Sequence, residues 1–133
     1  MKYYLDTNII IYALKGQYPA LPEHFKEIPS QSIVIPSIVL AEIEYGARKS
    51  NNYEITMSRY KQFMDVFIKV PFSEKAAIFY GQIRSDLERR GELIGPNDLM
   101  IAAIVLAEDG ILVTNNVKEF ERVPKLRIEN WTV

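Results

Sequence analysis

Short apolar runs alternate along this chain with longer stretches of helical periodicity, and turn-forming residues separate them. Residues 2–5, Lys-Tyr-Tyr-Leu, read as a strand that Asp6-Thr7-Asn8 ends. Residues 9–14 are apolar throughout and predict a buried helix stopped by Gly16. Pro19, Pro22 and Pro29 mark 17–31 as a loop with a short helix around 22–27. Ile33-Val34-Ile35 predicts a second buried strand, after which Pro36-Ser37 opens a helix to about Lys49. Ser37 is the expected N-cap, and Glu42 falls on the second turn. A third helical pattern covers 52–65, with apolar Ile55, Met57, Phe63 and Met64. Residues 66–70 are strand-like and end at Pro71. Ser73 then caps a long helix to about Arg90, with Ala76, Phe79, Tyr80, Ile83 and Leu87 at helical spacing. Gly91 and Gly95 bracket a loop, and Pro96 suits the first turn of a helix that Gly110 stops. Residues 111–113 predict a strand, 114–116 a turn, 117–120 one helical turn and 126–128 a last strand. With no hairpin signal between neighbouring strands, the alternation predicts an α/β fold: one domain over 1–133, with a mostly parallel central sheet flanked by helices.

Composition narrows the function classes. With 133 residues, 48% hydrophobic and 25% charged, the chain can bury a real core. It has no cysteine, which excludes disulfides and thiolate metal sites and fits a reducing compartment. Its one histidine, His24, lies in a polar, proline-flanked stretch and reads as a surface residue, so a zinc site or a Ser-His triad is poorly supplied. A net charge of −1 is not that of a basic nucleic-acid coat, so any nucleic acid would be held by a local basic patch or a metal. No apolar run approaches the roughly 20 residues of a membrane helix. The start, Met1-Lys2, runs straight into a strand and does not resemble a signal peptide, so the expected location is the cytoplasm.

Three segments place a carboxylate beside an apolar run: Tyr3-Tyr4-Leu5-Asp6, Pro36 to Glu42, and Gly95-Pro96-Asn97-Asp98. Carboxylates near a core or near each other are costly unless something neutralises them. Three in one cleft would make an oxygen-rich site for a hard cation such as Mg²⁺. In open parallel sheets, ligands bind beyond the carboxyl ends of the strands. Asp6 and Asn116 each follow a predicted strand, and Glu42 lies one and a half turns into the next helix. Asp98 opens the helix before residues 111–113, and strand-end logic alone does not bring it to Asp6. Each acid also has a plain structural role open to it: Asp6 as a turn residue, Asp98 as a helix-dipole partner, Glu42 as an exposed helix acid with Glu44 as its equal.

Four segments together resemble the PIN-domain ribonucleases, and within them the VapC toxins of VapBC type II toxin–antitoxin systems. They are Tyr4-Leu5-Asp6-Thr7-Asn8, residues 35–47 around Glu42, residues 94–103 around Asp98, and residues 112–120 around Asn116. The resemblance spans essentially the whole chain in the family's order. It implies a parallel sheet with acids gathered at one edge, Asp6 first, Glu42 second and Asp98 third. The position of a fourth acid holds Asn116, with Glu119 the alternative source of charge.

The implied activity is hydrolysis of RNA by metal-activated water, with transfer RNA the expected substrate. Asp6 and Asp98 would ligate Mg²⁺ or Mn²⁺, and Glu42 would complete the site. Thr7, Ser37, Thr114 and Asn115 are candidates to hold the carboxylates, and Asn8 to tie the first turn to a neighbouring loop. Arg84, Arg89, Arg90 and Arg48-Lys49 are candidates for the RNA backbone. The resemblance also implies a VapB antitoxin, seated over residues such as Ile10, Tyr12, Leu14, Tyr45 and Tyr53, and a homodimer that could use Tyr80, Ile83 and Leu87. The rivals are a phosphoacceptor receiver domain, which would need paired acids after the first strand, a haloacid-dehalogenase-like phosphatase, which would need an Asp at position 8, and a PIN-fold scaffold or RNA-binding module without its metal.

Overall fold

The computed structural model describes residues Met1–Val133. Its centre is a five-stranded sheet in the order β3-β2-β1-β4-β5. These strands are β1 (Tyr3–Leu5), β2 (Ile33–Pro36), β3 (Ile68–Val70), β4 (Ile111–Val113) and β5 (Arg127–Glu129). All four pairings are parallel. Seven α-helices flank the sheet: α1 (Thr7–Lys15), α2 (Ala20–Glu27), α3 (Ser37–Arg48), α4 (Tyr53–Met64), α5 (Glu74–Arg89), α6 (Pro96–Glu108) and α7 (Val117–Phe120). The fold is the expected α/β arrangement. The order also sets aside a receiver domain, whose sheet runs 2-1-3-4-5.

β1 lies in the middle, with Tyr4 in register with Val34 on one side and Leu112 on the other. Leu5, Ile33, Val34, Ile35, Leu112 and Val113 are all wholly buried. Strands covered on both faces read as continuous apolar runs, which is why period-two alternation is missing here. α6 is buried along 101–105, as a helix that is apolar on every side must be. α5 packs against it through Ala76, Ile83 and Leu87.

Local chemistry shifted several boundaries. α1 starts at Thr7, because the Asp6 side chain accepts the Thr7 amide at 2.8 Å and caps the helix there. α2 starts at Ala20, so Pro22 falls in the first turn, where a missing N–H costs nothing. Ser37 is not an N-cap. Pro36 still pairs with Val70 in the sheet, so the strand runs one residue further and Ser37 is already helical. Ser73 does cap α5, accepting the Ala76 amide at 3.1 Å. Residues 66 and 67 lie in the turn after α4, and Val66 is exposed.

α6 is terminated by Asp109 in the left-handed conformation, φ 55°, rather than by Gly110. Arg127 holds Asp109 through its carbonyl and carboxylate at 2.7 and 2.9 Å. Gly110 serves a different need. A Cβ there would stand 2.1 Å from Cε1 of Tyr4, a ring that is 1% exposed and hydrogen-bonded to Glu108. His24 is half-buried, stacked on Trp131 at 5.3 Å between ring centroids, which the sequence reading had not expected.

Gly110→Ala should therefore force the Tyr4 ring to move inside a packed sheet. We expect a loss of about 1–3 kcal/mol, read as a lower urea midpoint with unchanged slope. An unchanged midpoint would show that the ring yields freely.

Candidate active site

Every strand points the same way, so every carboxyl end lies at one edge of the sheet. The helices that return the chain run back across the sheet, so their first turns lie at that edge too. This places Asp98, third residue of α6, beside Asp6, the step that strand-end logic had not supplied.

Asp6 ends β1 and is 6% exposed. Its amide donates to the Val113 carbonyl at 3.0 Å. Its Oδ1 accepts the Thr7 amide and its Oδ2 the Thr114 hydroxyl, each at 2.8 Å. Thr114 is wholly buried, and its Oγ accepts the Asn116 amide at 3.0 Å. Asn116 in turn donates from Nδ2 to Glu119 at 2.5 Å, and Glu119 accepts the Gly95 amide at 3.3 Å. Gly95 is the N-cap residue of α6, so this chain of bonds ties the β4–α7 turn to the helix that carries Asp98. On the other side, Glu42 accepts the Thr7 hydroxyl at 2.5 Å and the Asn97 side-chain Nδ2 at 3.3 Å.

The electrostatics are those of a cluster of carboxylates that form no ion pair within the protein. Burial pushes the Asp6 carboxyl up, the Thr114 and Thr7 donors oppose this, and the charges of Glu42 and Glu119 add to it. Asp98 is pushed up to about 7, first by burial, then by the charges of Asp6, Glu119 and Glu42, and by the proton it shares with Glu119. For Glu119, burial acts upward too. The donors Asn116, Gly95 and Asp98 and the charge of Arg122 outweigh it and hold the carboxyl below its usual range. None of the molecule's ion pairs includes Asp6, Glu42, Asp98 or Glu119.

The all-oxygen donor set, at a place where negative charge is unpaired, fits a hard divalent cation. No three of these side chains stand ready to grip one ion together. An ion held here would have to complete its coordination with water.

The expected residues fall into two groups. Asp6, Glu42 and Asp98 converge, with Thr7 and Thr114 as their supports. Asn116 lies beside them but directs its amide nitrogen to Glu119, so the fourth carboxylate in the cluster is Glu119. Asn115 is exposed and donates to Thr132 instead. Ser37 and Asn8 make no side-chain hydrogen bond, and Asn8 is exposed. Glu44 is taken up by Tyr53 at 2.5 Å and by Arg48, which separates it from Glu42.

The arginines proposed for RNA are largely spent within the protein. Arg89 and Arg90 both pair with Asp86, Arg84 with Glu88, and Arg48 with Glu44. Asn97 and the Gly95 amide were not foreseen, and only their place beside Asp98 marked them.

Residues 3–126 match the PIN domain family. A relative named Ribonuclease VapC2, from Rickettsia felis, is 42% identical over 132 residues, covering 98% of each chain. One named tRNA(fMet)-specific endonuclease VapC, from Salmonella typhimurium, is 39% identical over 134 residues, again covering 98% of each. The crystal structure of VapBC2 from Rickettsia felis bound to a promoter DNA fragment superposes with a TM-score of 0.93 at 42% identity, over 98% of this chain and 99% of that one. The chain thus belongs to the PIN domain family. Within it, this chain is one of the VapC ribonucleases.

The raised Asp98 carboxyl gives a stability signature. Its value in the fold is about 7 against an ordinary 3.8, so between those values the folded protein holds a proton that the unfolded chain has released. Metal-free stability should then fall as pH rises through that window. Asp98→Asn should flatten the fall and gain on the order of 1 kcal/mol at pH 8, a modest figure because the side chain is partly open to solvent and screened. Thermal melting in EDTA from pH 4 to 8 tests this. A wild-type profile no steeper than the variant's would count against it.

Proposed function

We propose that this protein is the toxin of a VapBC-type pair. In this reading it is an endoribonuclease that hydrolyses a phosphodiester of structured RNA with Mg²⁺ or Mn²⁺. The observation that carries the reading is the cluster of four carboxylates at the carboxyl edge of the sheet, unpaired with any cation. The names of the Salmonella typhimurium and Shigella flexneri relatives, both tRNA(fMet)-specific endonucleases, make transfer RNA the first substrate to test.

Asp6 and Asp98 would hold the ion, with Glu119 supported by Asn116 as the fourth carboxylate. When bound, the ion supplies positive charge against the phosphate and eases deprotonation of water. Glu42, fixed by Thr7 and Asn97, would orient the attacking water and take its proton. Asp6 is held by Thr114 and its own helix cap, so its carboxylate does not have to be ordered when substrate arrives. Glu119 beside Asp98 favours an active enzyme over a scaffold that has lost its metal, because the charge missing at Asn116 is restored three residues later.

The antitoxin belongs to the same reading. Between α1 and α4 lies a groove of about 330 Å³, lined by apolar Ile11, Leu14 and Tyr60 and by basic Lys15 and Arg59. It suits an amphipathic segment with acidic flanks. Of the residues first expected there, Leu14 lines the groove, whereas Ile10 is wholly buried core and Tyr53 is bonded to Glu44. Homodimerisation is part of the proposal too, though not through Ile83 or Leu87, which are buried against α6. No helix is long and apolar enough to cross a membrane.

Purified protein should cut bulk transfer RNA into discrete fragments with Mg²⁺ or Mn²⁺, and not in EDTA. Glu42→Gln should lower the rate by about a hundredfold or more. Asp98→Asn should abolish both cleavage and Mg²⁺ binding by calorimetry. Wild type that neither cuts RNA nor binds Mg²⁺ would favour the scaffold without its metal.

A further inference from the structure

Tyr45 is the most exposed aromatic side chain in the molecule, at 66%. It follows Glu42 by three residues on α3, so the two share one helix face about 4.5 Å apart along the axis. Both line a cavity of about 630 Å³ with Thr7, Ile38, Asn97 and Met100. The cavity therefore shares Thr7, Glu42 and Asn97 with the candidate active site. Its walls combine an aromatic ring and aliphatic side chains with an amide. Asn97 spends its nitrogen on Glu42, and its carbonyl oxygen has no partner.

The neighbouring Tyr53 shows what a satisfied tyrosine looks like here. Its hydroxyl donates to Glu44 at 2.5 Å, and the Arg48 guanidinium covers its ring at 3.7 Å. Tyr45 has no hydrogen bond and no aromatic partner. Its only companion is the Lys49 ammonium, 5.1 Å from the ring centroid, and Lys49 is in no ion pair. An exposed aromatic ring, with a cation that is in no ion pair one turn further on, is the chemistry that receives a nucleobase and its backbone phosphate. The cation also answers a difficulty of the site, since the acids repel RNA and the arginines of α5 are paired internally.

We propose that Tyr45 is a stacking platform for a base flanking the scissile phosphate, with Lys49 on the adjoining backbone. This rests on the ribonuclease reading above and adds where single-stranded RNA is gripped. The ring is sequence-tolerant, so selectivity would come from the rest of the cavity, with Met100 and Asn97 against the base. Tyr45 is a substrate-binding residue and takes no part in the proton transfers.

The test is fluorescence anisotropy with a fluorescein-labelled single-stranded decaribonucleotide, in Ca²⁺ to hold back cutting. Cleavage of bulk transfer RNA in Mg²⁺ runs beside it. Tyr45→Leu keeps an apolar side chain but removes the ring. It should weaken binding roughly five- to a hundredfold and raise KM by the same factor with kcat little changed. Tyr45→Phe and Tyr45→Trp should bind like the wild type. Lys49→Ala should weaken binding and make its salt dependence shallower by about one phosphate contact.

Tyr45→Leu binding as tightly as wild type would overturn the proposal. So would Tyr45→Phe failing as badly as Tyr45→Leu, which would assign the effect to the hydroxyl. A Tyr45→Leu shift from dimer to monomer on sizing would also overturn it, by giving this face to a second copy. Tyr45-dependent binding without any cleavage would uphold the platform and reject the nuclease. Wild type that binds no RNA would reject the platform, and Mg²⁺ calorimetry would then judge the acids separately.

Discussion

Parallel pairing of β1 with both β2 and β4 is the constraint on which the site depends. A parallel sheet sends each chain segment back across the sheet as a helix, so strand ends and helix beginnings meet at one edge. Asp6 reaches that edge as a strand end. Glu42 and Asp98 reach it as residues of the first two turns of α3 and α6, and Glu119 reaches it on α7. Hydrogen bonds then lock the pieces. Asp6 binds the end of β4 through its amide, Thr114 bridges Asp6 to Asn116, and Glu119 reaches across to Gly95.

Gathering acids in this way carries a cost in stability that the surrounding structure offsets. Burial and mutual repulsion raise Asp6 and Asp98, and no internal cation relieves them. The fold holds the cluster because its apolar framework is extensive, with β1, β2, β4 and α6 all deep in the core. The donors around the cluster are polar and short-ranged. They position carboxylates without neutralising them, which leaves the charge available to a ligand from outside.

The surfaces on either side of the acids differ in kind. One groove, between α1 and α4, mixes apolar Ile11, Leu14 and Tyr60 with basic Lys15 and Arg59 and shares no lining residue with the acids. The other shares Glu42, Thr7 and Asn97 with them and presents the open ring of Tyr45. The positive charge near the site is therefore local, from residues such as Lys49 and Arg122, rather than a basic face. That agrees with a chain whose net charge is −1.

Element types, their order and the parallel sheet were legible in the sequence, because apolar runs of three or four residues between amphipathic helices admit few other folds. Asp6, Glu42 and Asp98 could be singled out as acids beside apolar segments. Tertiary structure alone decided the rest. Ser37 lost its capping role because Pro36 found a partner in β3, a pairing between distant parts of the chain. Asn116 and Glu119 could not be ranked as candidates until the turn after β4 set one to hold the other. Glu44 looked equal to Glu42 until Tyr53 and Arg48 claimed it. Periodicity along a chain reports which face of an element is buried. Which side chains meet across elements depends on register and helix direction, and only the assembled sheet supplies those.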